Sequence, residues 1–327
     1  MQNAELLRFS FCILHFAFCI RRMRHTVVLT AHYPSIAREI LAPLADLVEH
    51  PTEQARSEDD IITILSEADA AITLLSDPLT RRVLASNPNL RMVANYAVGT
   101  NNVDVDAARD LGIIVTNTPG VLTEATADLT MALILAVLRR VIEGADEVRD
   151  TGECIWEPLH LLGVSLQGKR LGIVGMGRIG SAVAERARAF GMEVTGVRRG
   201  EPLDDLLATS DIVSLHAPLT RETTHMIDAA ALAKMKRGAF LINTARGKLV
   251  DESALCDALE RGRLRGAGLD VYEDEPRVNP RLLKLPNVVA LPHIGSATEE
   301  TRSAMARIAA TDVARFLRGE RPLHVVT

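Results

Sequence analysis

The run Gly175-Met176-Gly177-Arg178-Ile179-Gly180 constrains this chain more than any other stretch. It follows the apolar segment Arg170–Val174 and opens a helical pattern from Ser181 to Phe190. A strand that ends in such a loop, with a helix that starts there, is the context of a dinucleotide fingerprint. The first glycine permits the tight turn, the second lets the backbone approach a pyrophosphate, and the third lets helix and strand pack closely. The helix N-terminus offers free N–H groups to the anion. The alternative is a glycine-rich turn with no ligand.

Strand-like and helix-like segments alternate on both sides of the loop. In the first part, Val27–Leu29, Ala70–Leu75, Arg91–Asn95 and Ile113–Thr116 read as strands, and Ile36–Leu47 and Ile61–Ala68 as helices. Short apolar strands separated by helices indicate a parallel sheet with both faces covered. After the turn signal Thr118-Pro119-Gly120, Thr123–Arg149 reads as one long helix passing from the first domain to the second, with Glu124 and Asp128 near its start as the helix dipole favours. The second unit supplies Leu171–Val174, Glu193–Val197, Ile212–Leu215, Phe240–Asn243, Ala267–Asp270 and Val288–Leu291, enough for a doubly wound six-stranded sheet. The last helix, Ala297–Arg318, has no sheet left to join there and is expected to return to the first domain. The fold expected is therefore α/β, with two Rossmann-like domains and doubly wound parallel sheets. The first domain is discontinuous (23–121 plus 296–327), and residues 122–295 form the dinucleotide-binding domain.

A chain of 327 residues has room for two such domains, and with only 3% aromatics its core is built from Ala, Val, Leu and Ile. A net charge of −5, with no basic tract, gives no reason to expect a nucleic-acid partner. The four cysteines, Cys12, Cys19, Cys154 and Cys256, form no CxxC and no zinc-like cluster, so no metal is expected and a reduced, cytoplasmic protein is the simplest reading. The apolar run Phe9–Ile20 is too short to span a bilayer and lacks the basic n-region and cleavage site of a signal peptide. We read Met23 as the natural start, with residues 1–22 outside the fold; the alternative is a weak membrane-surface anchor.

Three polar residues sit just past strand ends of the second unit: Arg246 in NTARG, Glu275 in LDVYEDEP and His293 in LPHIGSAT. In an open α/β sheet the ligand lies beyond the carboxyl ends of the strands, so all three are expected to point toward the nicotinamide end of a dinucleotide. Their chemistry suits hydride transfer. An arginine grips a carboxylate with two parallel hydrogen bonds. A histidine gives or takes a proton near neutral pH, and a carboxylate beside it orients the ring and favours imidazolium. Taken singly, Arg246 could cap a helix, Glu275 could be a surface acid and His293 a turn residue; together, downstream of the glycine loop, they read as a site.

These segments resemble the D-isomer-specific 2-hydroxyacid dehydrogenases. The resemblance covers nearly everything from Thr26 onward and rests on NYAVGTNNVDV (95–105), VTNTPGVLTEATADL (115–129), GIVGMGRIG (172–180), HAPLTRETTHMI (216–227), INTARGKLVDE (242–252), GLDVYEDEP (268–276) and LPHIGSAT (291–298). Within the family the pattern is most similar to glyoxylate and hydroxypyruvate reductases. The resemblance implies that Arg246 binds the substrate carboxylate and keto oxygen, that His293 is the acid/base and that Glu275 is its partner. It implies that Val98 and Gly99 offer backbone N–H groups to the carboxylate from the first domain, with Leu75 and Ser76 nearby. It further implies that Gly175 to Gly180, with Met176, Arg178 and Ile179, hold the pyrophosphate. His216, Pro218, Thr244, Ala245, Asp270, His293 and Gly295 would line the rest of the cofactor site. A substrate cleft between closing domains and a homodimer, through the helix from Thr123 and the linker containing Trp156, also follow from the resemblance alone. Other members, of the phosphoglycerate or D-lactate dehydrogenase type, remain open, as does a nucleotide-sensing, corepressor-like binding protein.

Two departures stand out. NAD-specific sites place an acid about 20 residues past the glycines, on the ribose hydroxyls. Here that position is Arg198, followed by Arg199. A guanidinium pairs with a 2′-phosphate, so NADP(H) is expected to be preferred over NAD(H); the alternative is that both arginines are solvated surface charges. The second departure is length. Only thirteen residues lie between Val197 and Asp211, about the minimum for a parallel crossover. The family usually has a longer segment here with another short strand, so the adenosine pocket is expected to be more open.

Overall fold

The computed structural model describes residues 24–51 and 56–327. The proposed start at Met23 and the apolar run before it lie outside the described residues. Two compact units emerge. The first takes the described residues up to Tyr96, then Val103–Asn117 and Ala306–Thr327; the second takes Ala97–Asn102 and Thr118–Met305.

The first unit carries five strands: β1 (His25–Leu29), β2 (Ala45–Glu49), β3 (Ala70–Thr73), β4 (Met92–Asn95) and β5 (Ile114–Thr116). They form one sheet in the order β2-β1-β3-β4-β5, with every pairing parallel. Strands β3 and β4 are buried along their whole length, as sheet strands covered on both faces must be. One expectation fails here. The segment read as a single helix, Ile36–Leu47, is a helix Ser35–Leu41 followed by β2. Pro43 has no N–H to continue the ladder, and a turn at Ala42–Leu44 redirects the chain into an edge strand with little apolar alternation.

The second unit carries β6 (Arg170–Val174), β7 (Glu193–Val197), β8 (Ile212–Leu215), β9 (Ala239–Asn243), β10 (Leu264–Leu269) and β11 (Val288–Ala290). Their order is β11-β10-β9-β8-β6-β7, again all parallel. The six expected strands are all present. One face is covered by helices Thr123–Leu138 and Arg178–Ala189, whose Leu133, Ile134, Val183 and Ala187 pack with Leu171 and Ile173 of the sheet. The other is covered by helices Asp204–Thr209, Ala229–Lys234 and Glu252–Glu260, around Leu207, Leu232, Leu255 and Leu241. The order reverses at β6, which has β7 on one side and β8 on the other. That is the switch point, where open α/β sheets bind their ligands.

The expected long helix Thr123–Arg149 is two helices, Thr123–Leu138 and Val141–Thr151, and both lie in the second unit rather than passing between units. The break falls at Arg140, which is left-handed (φ 54°). The carbonyl of Leu138 accepts the Val164 N–H at 2.8 Å, so the returning chain caps the first helix in place of its own next turn. No glycine or proline marks this break in the sequence. Glu124 and Asp128 do more than suit the dipole: both pair with Arg186 of the helix Arg178–Ala189, at 2.7 and 2.6 Å.

The final helix, Glu299–Leu317, divides at Met305, its later part clustering with the first unit. Among the described residues no helix is long and apolar enough to cross a membrane.

Candidate active site

The glycine loop sits at the carboxyl end of β6. Gly175 has φ +102°, and a Cβ there would lie 2.6 Å from the His216 carbonyl carbon, so this position requires glycine. Gly177 is the N-cap of the helix Arg178–Ala189 and makes no side-chain cap, and a Cβ on it would meet open space. A Cβ on Gly180 would run into the Gly175 carbonyl oxygen. The loop thus has the tight turn, the open approach and the close packing that a pyrophosphate cradle needs, with uncapped N–H groups at Arg178 and Ile179. The Met176 side chain lies over Gly196 of β7, where any Cβ would collide with it.

His216 follows β8 and shares a 2.9 Å hydrogen bond with Ser214 through Nε2. The residue keeps some accessible surface, but its ring is enclosed, and burial pushes its pKa down from 6.5 to about 4. The imidazole is therefore neutral in the folded protein. Because the folded pKa lies below the unfolded one, the unfolded chain binds the proton first. Stability tied to His216 is intact above about pH 6.5 and falls as pH drops toward 4, by at most about 3 kcal/mol. In denaturant titrations at pH 7.5 and 5, His216→Asn should lack that part of the acid-induced loss; an equal loss in both proteins contradicts the assignment. Pro218, two residues on, is exposed.

Three strand ends deliver the polar cluster. After β9, Arg246 is pinned by two bonds: Nε donates to Asn101 Oδ1 at 3.3 Å and NH1 to the Ala245 carbonyl at 2.6 Å. Its guanidinium lies against Gly99, where a Cβ would sit 2.9 Å from Cζ. Burial lowers its pKa, and the Glu275 charge works the other way. After β10, Glu275 Oε1 accepts the Tyr272 N–H at 2.9 Å, while Oε2 meets His293 Nδ1 at 2.9 Å. Burial raises the Glu275 pKa, but the bond to His293, its charge, the Tyr272 amide and Arg246 outweigh that and leave the carboxyl below its ordinary value. After β11, His293 is left-handed (φ 56°), an uncommon conformation for a non-glycine residue. Asp270 fixes the two residues after it: Oδ1 accepts the Ile294 N–H at 2.7 Å and Oδ2 the Gly295 N–H at 2.8 Å. Burial raises the Asp270 pKa.

The structure therefore brings Arg246, Glu275 and His293 together in one unit, with Val98 and Gly99 grouped in that unit rather than in the first. Thr244 is buried and shares a 2.9 Å hydroxyl bond with Thr130, and the Ala245 N–H donates to Asn243 Oδ1 at 3.0 Å. Leu75 and Ser76 follow β3 in the first unit, where the Asp77 carboxylate accepts the Leu74 N–H at 2.8 Å. Arg198 and Arg199 are exposed just past β7.

Sequence reasoning missed the clasp that holds the Arg246 and Glu275 loops to one another. The Glu273 N–H donates to Glu252 Oε1 at 2.6 Å, the Glu252 N–H donates to Glu273 Oε2 at 3.3 Å, and His225 Nε2 meets Glu273 Oε1 at 2.7 Å. Glu252 is buried, which raises its pKa. Gly247 completes the clasp, because a Cβ there would overlap the Tyr272 carbonyl. Gly247→Ala should cost about 1–3 kcal/mol or more through overpacking, read from chemical unfolding; an unchanged midpoint contradicts the packing. The only sequence signal for the clasp was indirect: acids within VDE and YEDEP whose partners lie on other loops.

Residues 131–295 match the family described as D-isomer specific 2-hydroxyacid dehydrogenase, NAD binding domain. A glyoxylate reductase from Korarchaeum cryptofilum is 49% identical over 289 residues, spanning 84% of this chain and 87% of that protein. The protein TT0316 from Thermus thermophilus has the same fold with a TM-score of 0.87 at 44% identity, covering 92% of this chain and 100% of that one. An NADPH-dependent glyoxylate/hydroxypyruvate reductase from Sinorhizobium meliloti, solved with NADP and malonate, gives a TM-score of 0.80 at 32% identity, over 93% of this chain and 97% of that one. The chain belongs to the D-isomer-specific 2-hydroxyacid dehydrogenase family. It is an NAD(P)-dependent oxidoreductase, and its glycine loop fits the nicotinamide cofactor that this class uses.

Proposed function

We propose that this protein reduces a small 2-oxo acid, glyoxylate or hydroxypyruvate, to the 2-hydroxy acid, with NADP(H) preferred over NAD(H). The observation that carries the chemistry is the 2.9 Å bond between His293 Nδ1 and Glu275 Oε2, beside the half-buried Arg246. Reduced nicotinamide, when bound, supplies the hydride to the carbonyl carbon. His293 gives the carbonyl oxygen its proton, so that one hydride and one proton complete the hydroxyl. Glu275 holds Nδ1 and leaves Nε2 to carry that proton. Arg246 grips the substrate carboxylate and stabilises charge developing on the oxygen. Val98 and Gly99 present backbone N–H groups to the same carboxylate. Leu75 and Ser76 we also read as substrate-binding residues, and the first unit as the substrate-binding domain. The glyoxylate reductase among the relatives and the S. meliloti reductase support this substrate class.

The cofactor preference rests on Arg198 and Arg199 at the end of β7, in place of the usual acid. Steady-state oxidation of NADPH and NADH with glyoxylate, hydroxypyruvate and pyruvate tests the whole reading. Arg198→Asp should lower kcat/KM for NADPH about tenfold or more relative to NADH; equal values for the two cofactors in the unmodified protein contradict the preference.

A homodimer is supported by the apolar surface of residues 141–162. Trp156 is 84% and Leu159 80% exposed, beside exposed Val141, Ile142, Val148, Ile155 and Leu162, a concentration that a partner surface would cover. The free thiols Cys154 and Cys256 fit a reducing cytoplasm.

A further inference from the structure

The turn after β7 carries a third charged group besides the two arginines. β7 ends at Val197, whose carbonyl accepts the N–H groups of Gly175 at 2.9 Å and Met176 at 3.2 Å, so this strand end abuts the glycine loop. The next amide, Arg198 N–H, donates to the Glu201 carboxylate at 2.6 Å. The Glu201 N–H donates back to the Arg198 carbonyl at 3.1 Å, and Gly200, at φ +86°, turns the chain so that both bonds form. β7 is the last strand of its sheet, and a six-residue helix, Asp204–Thr209, is the only regular element before β8. The turn is therefore exposed, with Arg198, Arg199 and Glu201 all on its surface.

An acid at this strand end is what an NAD site uses to bind the ribose hydroxyls. Arg198 occupies the expected position, but Glu201 brings a carboxylate back to it from three residues further on. We propose that Glu201 is a cofactor-discriminating residue: bound to the Arg198 amide, its carboxylate accepts the ribose 2′-hydroxyl of NAD(H) and repels the 2′-phosphate of NADP(H). A 2′-phosphate displaces the carboxylate and takes over the Arg198 N–H, while the arginines pair with its charge. The turn thus holds both an attractive and a repulsive element toward the same group, and their balance sets the selectivity. Without Glu201 the arginines would favour NADP(H) more strongly.

The inference rests on the nicotinamide-cofactor reading of the glycine loop, and its test needs no turnover. Calorimetric titration of the full chain with 2′,5′-ADP and with 5′-AMP reads the adenosine end directly. Glu201→Gln should tighten 2′,5′-ADP about fivefold, the scale of one exposed charge pair, and leave 5′-AMP unchanged or weaker. The gain should shrink as salt is added. An unchanged ratio of the two dissociation constants in Glu201→Gln, with its thermal unfolding unaltered, overturns the inference even where NADP(H) is preferred. A wild-type protein that favours 5′-AMP, with the ratio shifted by Glu201→Gln, upholds the inference and overturns the NADP(H) preference. If glyoxylate is not reduced, the titration still decides the role of Glu201.

Discussion

Replacing His293 by alanine should lower kcat by about 10²–10⁴-fold, the loss expected when a positioned general acid is removed. The prediction follows from geometry. His293 is bonded through Nδ1 to a carboxylate that is itself fixed by the Tyr272 amide, so ring position and tautomer are both set before substrate arrives. The glycine loop and β7 are built from other residues, so any loss of cofactor affinity should be small beside the loss in kcat. A His293→Ala enzyme with kcat within a few-fold of the original would remove the proton-transfer role from this residue.

The second large effect is expected at Arg246. Its guanidinium is desolvated and held by Asn101 and the Ala245 carbonyl, which take only two of its five N–H donors. Losing one partner of a buried, hydrogen-bonded charge pair costs about 2–5 kcal/mol. Arg246→Ala should therefore lower kcat/KM for the 2-oxo acid by about 10²-fold or more, with cofactor affinity retained. Arg246→Lys should recover little, because an ammonium cannot reproduce the two parallel bonds. Equal losses for a substrate lacking the carboxylate would contradict the assigned role.

Much of this arrangement is legible in the sequence. The second sheet was readable because its strands are buried apolar runs bounded by turn signals, and Arg246, Glu275 and His293 each follow one of them. What escaped depended on contacts remote in sequence. β2 was hidden because its exposed edge carries little pattern and an apolar helix precedes it. The break at Arg140 comes from the Leu138 carbonyl being claimed by Val164, which no local propensity reveals. The clasp of Glu252, Glu273 and His225 unites three loops, so none of its members is conspicuous alone. Glu201 is inconspicuous for a different reason: the acid of an NAD site is expected at the strand end itself, while a turn at Gly200 returns a carboxylate to that place from further along the chain.

Hydride transfer to a 2-oxo acid can be followed by the label it carries. With NADPH deuterated at the transferring C4 position and hydroxypyruvate as substrate, the wild-type protein should form D-glycerate carrying one deuterium at C2, and His293→Ala should form almost none. Deuterium that stays on the nicotinamide, with hydroxypyruvate unreduced although the cofactor is bound, would contradict it.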